Sequence, residues 1–375
     1  MREFVEAAAK VRPVLERNQA AGDRDRRLTD EAMAAMRDAG VFRMFVSRAL
    51  GGLELDLHTA VAATAELAKG DPSAAWVVMI LNQGDLLTGR FSEDVQREIY
   101  ADGPDTHVCT VLTPRSTAQR VDGGWRLNGE WFPASGCLHA TWALVGFPLA
   151  EADSAVAAVP LSELRIKDTW FTTGMRATGS NLMVGEDVFV PDERVLRLAD
   201  AISGTVAGTA PRHRTPLLPT VLSYMISPYL GTAQAALEHV VAQADKRPVS
   251  FTSYQRQSDS PVFQVALAEA AAKIDVAGLL ARSCADTADG ASSLDYLTRA
   301  RVRLHAAHAV RQCGEALDGL VAAHGASAVS ESSPLNVYLR DMQTALRHAM
   351  ISPAMSMEVF GRALLGVEPN ITPLI

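Results

Sequence analysis

His348 and Ser135 are the two residues whose types and surroundings best suit catalysis. An imidazole can donate or accept a proton near neutral pH, and His348 falls in a periodic apolar segment near the C-terminal end. Ser135 follows a strand-like segment and precedes Gly136, so its hydroxyl either faces a ligand or caps its own backbone as a turn serine. A lone histidine on a helix is usually structural, so both residues need a site around them.

Several common catalytic motifs are missing from the sequence. No GxGxxG follows a strand, and neither GxxxxGK[ST] nor GxSxG occurs, which argues against a dinucleotide-binding fold, a P-loop and a nucleophile elbow. His305 and His308 are three residues apart without a neighbouring carboxylate, so we interpret them as bundle residues and predict no metal site. The four cysteines form no CxxC pair, which predicts a reduced, cytoplasmic protein.

Composition and charge favour an ordinary globular protein. Of the 375 residues 48% are hydrophobic and 21% are charged, and the net charge is −8. A mildly acidic surface argues against nucleic acid or an anionic membrane as the main partner. No apolar run approaches the ~20 residues that a membrane span needs, and the N-terminus lacks the pattern of a signal peptide.

The periodicity of the chain predicts three domains. Residues 1–104 are predicted to be helical, and Asp71-Pro72-Ser73 opens a helix that is apolar on nearly all sides. Residues 105–210 form a central β domain, a small barrel or sandwich, with a tight turn at Asp122-Gly123-Gly124. Its predicted strands are Thr106–Leu112, Trp125–Trp131, Thr141–Phe147, Ser154–Val159 and Val184–Val190.

Residues 211–375 are predicted to form a C-terminal helical bundle. The stretch Ala201–Pro219 is rich in Gly, Pro, Ser and Thr, which is typical of a linker. Four long periodic segments then follow in series, which favours an antiparallel four-helix bundle. These segments are Val221–Lys246, Pro261–Ala288, Leu294–His324 and Pro334–Leu364.

The order of the domains and six local motifs resemble the acyl-CoA dehydrogenase superfamily over essentially the whole chain. The motifs are GDPSAAW (Gly70–Trp76), GGWRLNGEWFPASG (Gly123–Gly136), TTGMRATGS (Thr172–Ser180), VFVPDERV (Val188–Val195), SPLNVYLRDMQTALRHA (Ser333–Ala349) and EVFGRALLG (Glu358–Gly366). More narrowly, the chain resembles the two-component flavin-dependent monooxygenases, which include hydroxylases of p-hydroxyphenylacetate, dibenzothiophene and aromatic polyketides. The resemblance implies a mainly α fold with a β domain, of the acyl-CoA dehydrogenase type.

The resemblance implies a set of flavin-binding residues. The serine that matches Ser135 bonds flavin N5 in the resembling monooxygenases, where a hydroxyl would stabilise a C4a-hydroperoxide. Thr110 would face the same ring or reflects strand propensity, and Trp131 either flanks the flavin or belongs to the core. Ser180 ends a TGS turn that presents backbone N–H groups to the cofactor or is structural. Gln264 lies early in a bundle helix, where the resemblance places the flavin phosphate.

The last predicted helix distinguishes oxidation of acyl-CoA from monooxygenation. In the resembling dehydrogenases the catalytic glutamate follows the RD motif, and counting from Arg340-Asp341 places that position at Ala349. A dehydrogenase without this base cannot remove the α-proton of its substrate. A histidine seven positions after the RD aspartate matches the monooxygenase branch instead, so His348 is expected to act in catalysis, on the same helix face as Asp341.

One departure concerns the substrate. Several phenol hydroxylases of this branch carry a histidine after the SxAW motif as the base for the phenol, but here Asn82-Gln83-Gly84-Asp85 stands in that stretch. Either Asp85 or His348 takes that role, or the substrate needs no base. The substrate class therefore stays open between larger aromatic polyketides and amines.

The sequence predicts the oxygenase component of a two-component flavin-dependent monooxygenase. Reduced FMN or FAD would come from a separate NAD(P)H:flavin reductase, and O2 would be the co-substrate. A small-molecule substrate and a homotetramer are expected from the resemblance. The alternatives are an acyl-CoA dehydrogenase-like oxidoreductase and a non-catalytic scaffold of the same fold.

Overall fold

A computed structural model describes residues 2–113, 115–150, 153–203, 210–372 and 374–375. The order of elements is helical, then β, then helical, which confirms the predicted fold class. The domain boundaries at residues 104 and 210 remain predictions. Within the described residues, none of the helices combines the length and apolarity needed to cross a bilayer.

The N-terminal region consists of six helices whose ends follow sequence signals. Asp71 caps the fifth helix by accepting a hydrogen bond from the Ser73 backbone N–H at 2.8 Å, and Pro72 occupies the first turn, as predicted. That helix is buried on nearly every side, so it forms the centre of the N-terminal core. The helices are α1 (Arg2–Ala9), α2 (Arg12–Asp25), α3 (Asp30–Asp38), α4 (Leu57–Gly70), α5 (Pro72–Thr88) and α6 (Glu93–Ile99).

The middle of the chain folds into two four-stranded sheets. The strands are β1 (Val108–Val111), β2 (Ser116–Val121), β3 (Gly124–Ala134), β4 (Trp142–Ala150), β5 (Asp153–Pro160), β6 (Arg165–Lys167), β7 (Asn181–Pro191) and β8 (Val195–Arg197). One sheet has the order β1-β4-β5-β8, with β1 parallel to β4, and the other is antiparallel in the order β2-β3-β7-β6. All five predicted strands are present, whereas β2, β6 and β8 were missed because they are short or polar.

The two sheets face each other and share an apolar layer. The Trp125 ring of β3 lies 5.4 Å from the Phe147 ring of β4. The Trp131 indole donates a hydrogen bond of 2.9 Å to the Gly146 carbonyl of the opposite sheet. The domain is therefore a sandwich, one of the two predicted forms.

The C-terminal helices are α7 (Leu198–Ser203), α8 (Leu217–Gln243), α9 (Pro261–Ala288), α10 (Tyr296–His324), α11 (Pro334–Ala345) and α12 (Pro353–Leu365). Residues 204–209 of the predicted linker Ala201–Pro219 lie outside the described residues. The linker prediction was wrong at both ends, because α7 extends to Ser203 and α8 begins at Leu217.

The prediction of one helix over Pro334–Leu364 was also wrong. Helix α11 ends at Ala345, and His348 adopts an extended conformation with φ −66° and ψ 124°. Pro353 starts a new helix and disfavours helical geometry at the preceding residue, so the chain bends between α11 and α12. His348 and Asp341 consequently do not share a helix face.

Candidate functional site

A cavity of about 670 Å³ lies where the three regions of the chain meet. Its walls come from α5, the strands β1 and β3, the segment between β6 and β7, and the last turn of α11 with the turn that follows it. The lining residues are Trp76, Ile80, Thr110, Pro133, Ser135, Trp170, Phe171, Thr172, Thr173, Met175, Thr178, Ser180, Gln343, Thr344, Ala345, Arg347 and His348. Its size suits a drug-sized or cofactor-sized molecule.

Ser135 reaches the cavity because β3 ends immediately before it. Ala134 pairs with Asn181 of β7, which brings Ser135 beside Ser180. The two hydroxyl oxygens lie 2.7 Å apart, and the Trp76 indole N–H donates to Ser135 Oγ at 3.2 Å. The serine is therefore bonded to two neighbouring side chains rather than capping its own backbone.

The hydroxyls continue from Ser180 into the segment before β7. Ser180 Oγ lies 2.7 Å from Thr178 Oγ1, and Thr178 Oγ1 donates to the Met175 carbonyl at 2.7 Å. Ser135, Ser180 and Thr178 form what we call the hydroxyl relay, a chain of side-chain hydroxyls that ends on a backbone carbonyl. The role predicted for the backbone N–H groups of the TGS turn stays a prediction, and the side-chain contacts of Ser180 were missed from the sequence.

The Arg340-Asp341 pair of α11 holds this segment in place. Asp341 Oδ1 accepts from the Met175 backbone N–H at 2.6 Å, and Arg340 donates to the Thr173 carbonyl at 2.8 Å. A side chain at Gly174 would place its Cβ only 2.0 Å from the Arg340 carbonyl oxygen, so only glycine fits between them. The RD motif therefore fixes one wall of the cavity.

Two buried carboxyls lie behind this wall. Asp341 Oδ2 accepts from the Ser73 hydroxyl at 3.1 Å, and Ser73 belongs to the helix that Asp71 caps. Burial, together with the nearby Asp341 carboxylate, raises the pKa of Asp71 to about 7. Burial also raises the pKa of Asp341 to about 6, against the lowering effect of the Met175 and Ser73 hydrogen bonds. The pair thus titrates near neutral pH.

His348 reaches the cavity from the turn after α11. Its ring packs edge-on against Trp76 with centroids 5.6 Å apart. Burial lowers the pKa of His348 to about 4, so the imidazole is neutral at physiological pH. Nδ1 is enclosed without a hydrogen-bond partner, which leaves Nε2 as the ring nitrogen that can exchange a proton with a bound molecule.

Thr110 also reaches the cavity, as predicted for a residue that would face a flavin ring. Its Oγ1 is enclosed and has no hydrogen-bond partner. A buried hydroxyl without a hydrogen bond costs free energy, so this atom marks a place where a bound ligand would supply the missing partner.

Trp131, Gln264 and Asp85 are not brought to the cavity. Trp131 is 1% exposed and fills the interior of the sandwich, which matches its core interpretation. Gln264 lies on the surface of α9 and donates to the Ser258 carbonyl at 2.8 Å. Asp85 is fully buried in α5, where it accepts from the Tyr100 hydroxyl at 2.7 Å, and burial raises its pKa well above the usual range. The hypothesis that Asp85 is the substrate base is therefore not supported by its position.

Among the described lining residues, Arg347 is the only charged side chain. No aspartate or glutamate of the described part of the chain lines the cavity, and Ala349, at the position expected for the dehydrogenase base, begins a short 3-10 turn. Abstraction of an α-proton by a carboxylate has no candidate group here. The described residues also contain no group of three or more potential metal ligands.

The lining suits a flat, partly polar cofactor beside an aromatic molecule. Trp76, Trp170 and Phe171 offer ring faces, while Ser135 and Thr110 offer hydroxyl oxygens on one wall. Mixed aromatic and hydroxyl walls of this kind fit an isoalloxazine, which has apolar faces and a polar edge. Fold and site together define a flavin enzyme without a dehydrogenase base.

Comparison with known proteins agrees with this class. Family models of the acyl-CoA dehydrogenase N-terminal and C-terminal domains match residues 1–102 and 224–353. The oxygenase subunit HsaA of a flavin-dependent monooxygenase from Mycobacterium tuberculosis is 32% identical over 92% of this chain and 91% of its own length. The oxygenase component of p-hydroxyphenylacetate 3-hydroxylase from Acinetobacter baumannii is 28% identical over 98% of this chain and 90% of its own length.

A solved structure is also similar over nearly the whole chain. XiaF from Streptomyces sp., in complex with FADH2 and glycerol, superimposes with a TM-score of 0.95 at 34% identity and covers 99% of this chain and 97% of its own. The chain belongs to the acyl-CoA dehydrogenase family, in its branch of flavin-dependent monooxygenases. It is the oxygenase component of such an enzyme, which implies a separate reductase as the source of reduced flavin.

Proposed function

We propose that this enzyme hydroxylates a carbon atom of an aromatic ring system that is uncharged or anionic. The observation that carries the proposal is the neutral His348 in a cavity wall without carboxylates. A cationic amine would enter this cavity without a counter-ion, and an unpaired buried charge is expensive. Arg347, in the turn after α11, would instead tolerate a carboxylate or phenolate on the substrate.

The aromatic residues of the cavity support a substrate larger than a simple phenol. Trp170 and Phe171 stand beside Met175, and such walls bind polycyclic rings by stacking and burial. Polycyclic substrates also agree with the sequence departure at Asn82-Gln83-Gly84-Asp85, since neither Asn82 nor Asp85 lines the cavity.

The reduced flavin, FMN or FAD, would supply two electrons to O2, so that one oxygen atom enters the substrate and the other leaves as water. Ser135 and Thr110 would hold its polar edge, and Gln264 of α9 stays a candidate for the phosphate end. His348 Nε2 would accept the proton of a substrate hydroxyl or hold it in a hydrogen bond, which makes the ring more electron-rich. Trp76 would orient both His348 and Ser135, since it contacts each of them.

The proposal also includes an oligomeric state, a cellular location and a reductase. A homotetramer is supported by large apolar side chains left exposed on α9 and α12, because such faces need burial. These residues are Val262, Val265, Val276, Leu279, Leu364 and Leu365. A cytoplasmic location and a reductase that uses NAD(P)H complete the proposed system, and the four free cysteines agree with a reducing compartment.

A matched substrate series tests the proposal. Naphthol, a hydroxynaphthoate and an aminomethylnaphthol would each be turned over with a supplied flavin reductase, with product identified by mass spectrometry. We expect hydroxylation of the first two and at least a ~10-fold lower yield with the cationic amine, the scale of one unpaired charge or hydrogen bond. Preferred oxygenation of the amine, or reduction of a retained FAD by an acyl-CoA, would overturn it.

A further inference from the structure

The hydroxyl relay has only one arrangement of protons that satisfies every bond. A backbone carbonyl can only accept a hydrogen bond, so the Thr178 hydroxyl donates its single proton to the Met175 carbonyl. Ser180 must then donate to Thr178 Oγ1, and Ser135 must donate to Ser180 Oγ. The direction of each bond follows from the one before it.

The consequence falls on Ser135, the end of the relay that lines the cavity. Its proton points away toward Ser180, and one of its lone pairs accepts the Trp76 indole N–H. The lone pair that remains can only accept a hydrogen bond. Ser135 therefore offers the cavity an acceptor, although a serine considered alone could equally donate.

We infer that Thr178 and Ser180 are positioning residues that make the site select the redox state of the flavin. A reduced flavin carries a hydrogen on N5 and can donate it, whereas the N5 of an oxidised flavin can only accept. With the relay in place, Ser135 Oγ would accept a hydrogen bond from N5–H of the reduced flavin. Against the oxidised flavin, a lone pair of Ser135 Oγ would face the lone pair of N5, which is repulsive. The inference rests on the proposed function, in which Ser135 meets flavin N5.

The relay is built to keep this direction. Thr178 and Ser180 are each 1% exposed, so water does not compete for their protons. The Met175 carbonyl is held by a second donor, the Trp170 indole N–H at 2.8 Å, and the Met175 backbone N–H is held by Asp341. Hydrogen bonds to both its carbonyl and its backbone N–H therefore hold Met175 in place, and with it the carbonyl that sets the direction of the relay.

Anaerobic titration with oxidised and with chemically reduced FMN and FAD tests the inference, because the ratio of the two dissociation constants needs no turnover. Thr178→Val removes the hydroxyl that accepts from Ser180, so Ser180 can donate to Ser135 Oγ instead and Ser135 can turn its own proton toward the cavity. We expect the preference for reduced flavin to fall ~10-fold or more, the usual effect of one hydrogen bond. Ser180→Ala releases the Ser135 proton directly and should lower the same ratio, which keeps the test usable if one variant does not fold.

Two controls separate positioning from general damage. Thr178→Ser retains the hydroxyl and should restore the wild-type ratio. Thr232→Val removes a buried threonine hydroxyl of α8 that donates to the Pro228 carbonyl at 2.7 Å, and it should leave the ratio unchanged. A wild-type ratio in both Thr178→Val and Ser180→Ala would overturn the inference and leave the proposed function standing. If the wild-type protein does not bind reduced flavin, the proposed function fails and the inference with it.

Discussion

The two sides of the cavity hold their polar groups in different ways. On the β side, the hydroxyls of Ser135, Ser180 and Thr178 bond one another in series and end on a backbone carbonyl. On the helical side, His348 follows the end of α11 in an extended conformation, and its enclosed Nδ1 has no partner. The three hydroxyls of the relay are bonded to one another, whereas the helical side leaves the His348 imidazole without a hydrogen bond.

This difference separates binding from proton transfer. Groups whose protons are already committed recognise a ligand but cannot exchange a proton without breaking a chain of bonds. A neutral imidazole with no polar partner can exchange one at little cost. We therefore expect substitutions on the β wall to change flavin selectivity and coupling, and substitutions at His348 to change turnover of the substrate.

The largest effect is expected from His348→Ala. Loss of an acid–base group commonly costs ~10²-fold or more, so coupled product formation should fall by that amount while the thermal unfolding midpoint stays close to wild type. Product per NADH with a supplied reductase is the measurement. His305→Ala is the matched control, because His305 is a partly buried histidine of α10 whose pKa is also lowered by burial, and it does not line the cavity.

The pH profile sharpens this prediction. Burial lowers the pKa of His348 to about 4, and the neutral form is the one that accepts a proton, so product yield should stay level from pH 8 to 5 and fall only as pH approaches 4. A loss of yield centred near 6.5, the ordinary value for histidine, would show that the imidazole is not desolvated. A wild-type yield in His348→Ala would make the residue structural.

Ser135→Ala should have the next largest effect. Removal of the acceptor at the end of the relay costs one hydrogen bond, ~1–3 kcal/mol, which corresponds to a tenfold to hundredfold change. The ratio of hydroxylated product to released H2O2 should fall by that factor, while substrate binding changes little. Ser356→Ala is the control, since Ser356 is a fully buried serine of α12 whose hydroxyl has no hydrogen-bond partner. An unchanged product-to-peroxide ratio would leave Ser135 with a structural role only.

The contrast between the two walls also explains which parts of the site the sequence could predict. The resemblance predicted that Ser135 and Thr110 face the same flavin ring, and both line the cavity, but their contact with a flavin stays a prediction. The hydroxyl relay was missed because it depends on the register of β3 with β7, which joins residues 45 positions apart in sequence. Trp131 was ambiguous because an aromatic residue in a strand suits either a core or a ligand site.

His348 shows a different limit. The apolar period continues through Pro334–Leu364 and hides the break, although Pro353 is a recognised helix-start residue. Periodicity cannot distinguish one long helix from two helices joined by a short turn. His348 was nevertheless expected at the cavity, because the resemblance places it next to the position of the dehydrogenase base, and it does line the cavity. The RD motif that served for this count is tied to the site by tertiary contacts, which do not depend on helix phase.

Asp71→Asn should have the smallest effect, because Asp71 lies behind the wall that Arg340 and Asp341 hold in place. Between about pH 4 and 7 the folded state retains a proton on Asp71 that the unfolded state has lost, because burial raises the folded pKa to about 7. Stability therefore falls as pH rises through this window, and asparagine, which cannot ionise but can still accept the Ser73 N–H, should remove that loss. The difference in unfolding free energy between Asp71→Asn and wild type should therefore shift in favour of the variant by ~1–3 kcal/mol from pH 5 to pH 8. Urea unfolding at several pH values measures this difference.

Asp56→Asn provides the opposite sign for the same chemical change. Asp56 also caps a helix, and although burial opposes it, hydrogen bonds from Thr59 lower its pKa below the ordinary value. Its ionised form therefore stabilises the fold above the unfolded pKa, and Asp56→Asn should lose stability at pH 8 rather than gain it. If the two variants shifted stability in the same direction with pH, the buried Asp71–Asp341 pair would not hold a proton near neutral pH. The anchor at Met175 would then rest on a fully ionised carboxylate.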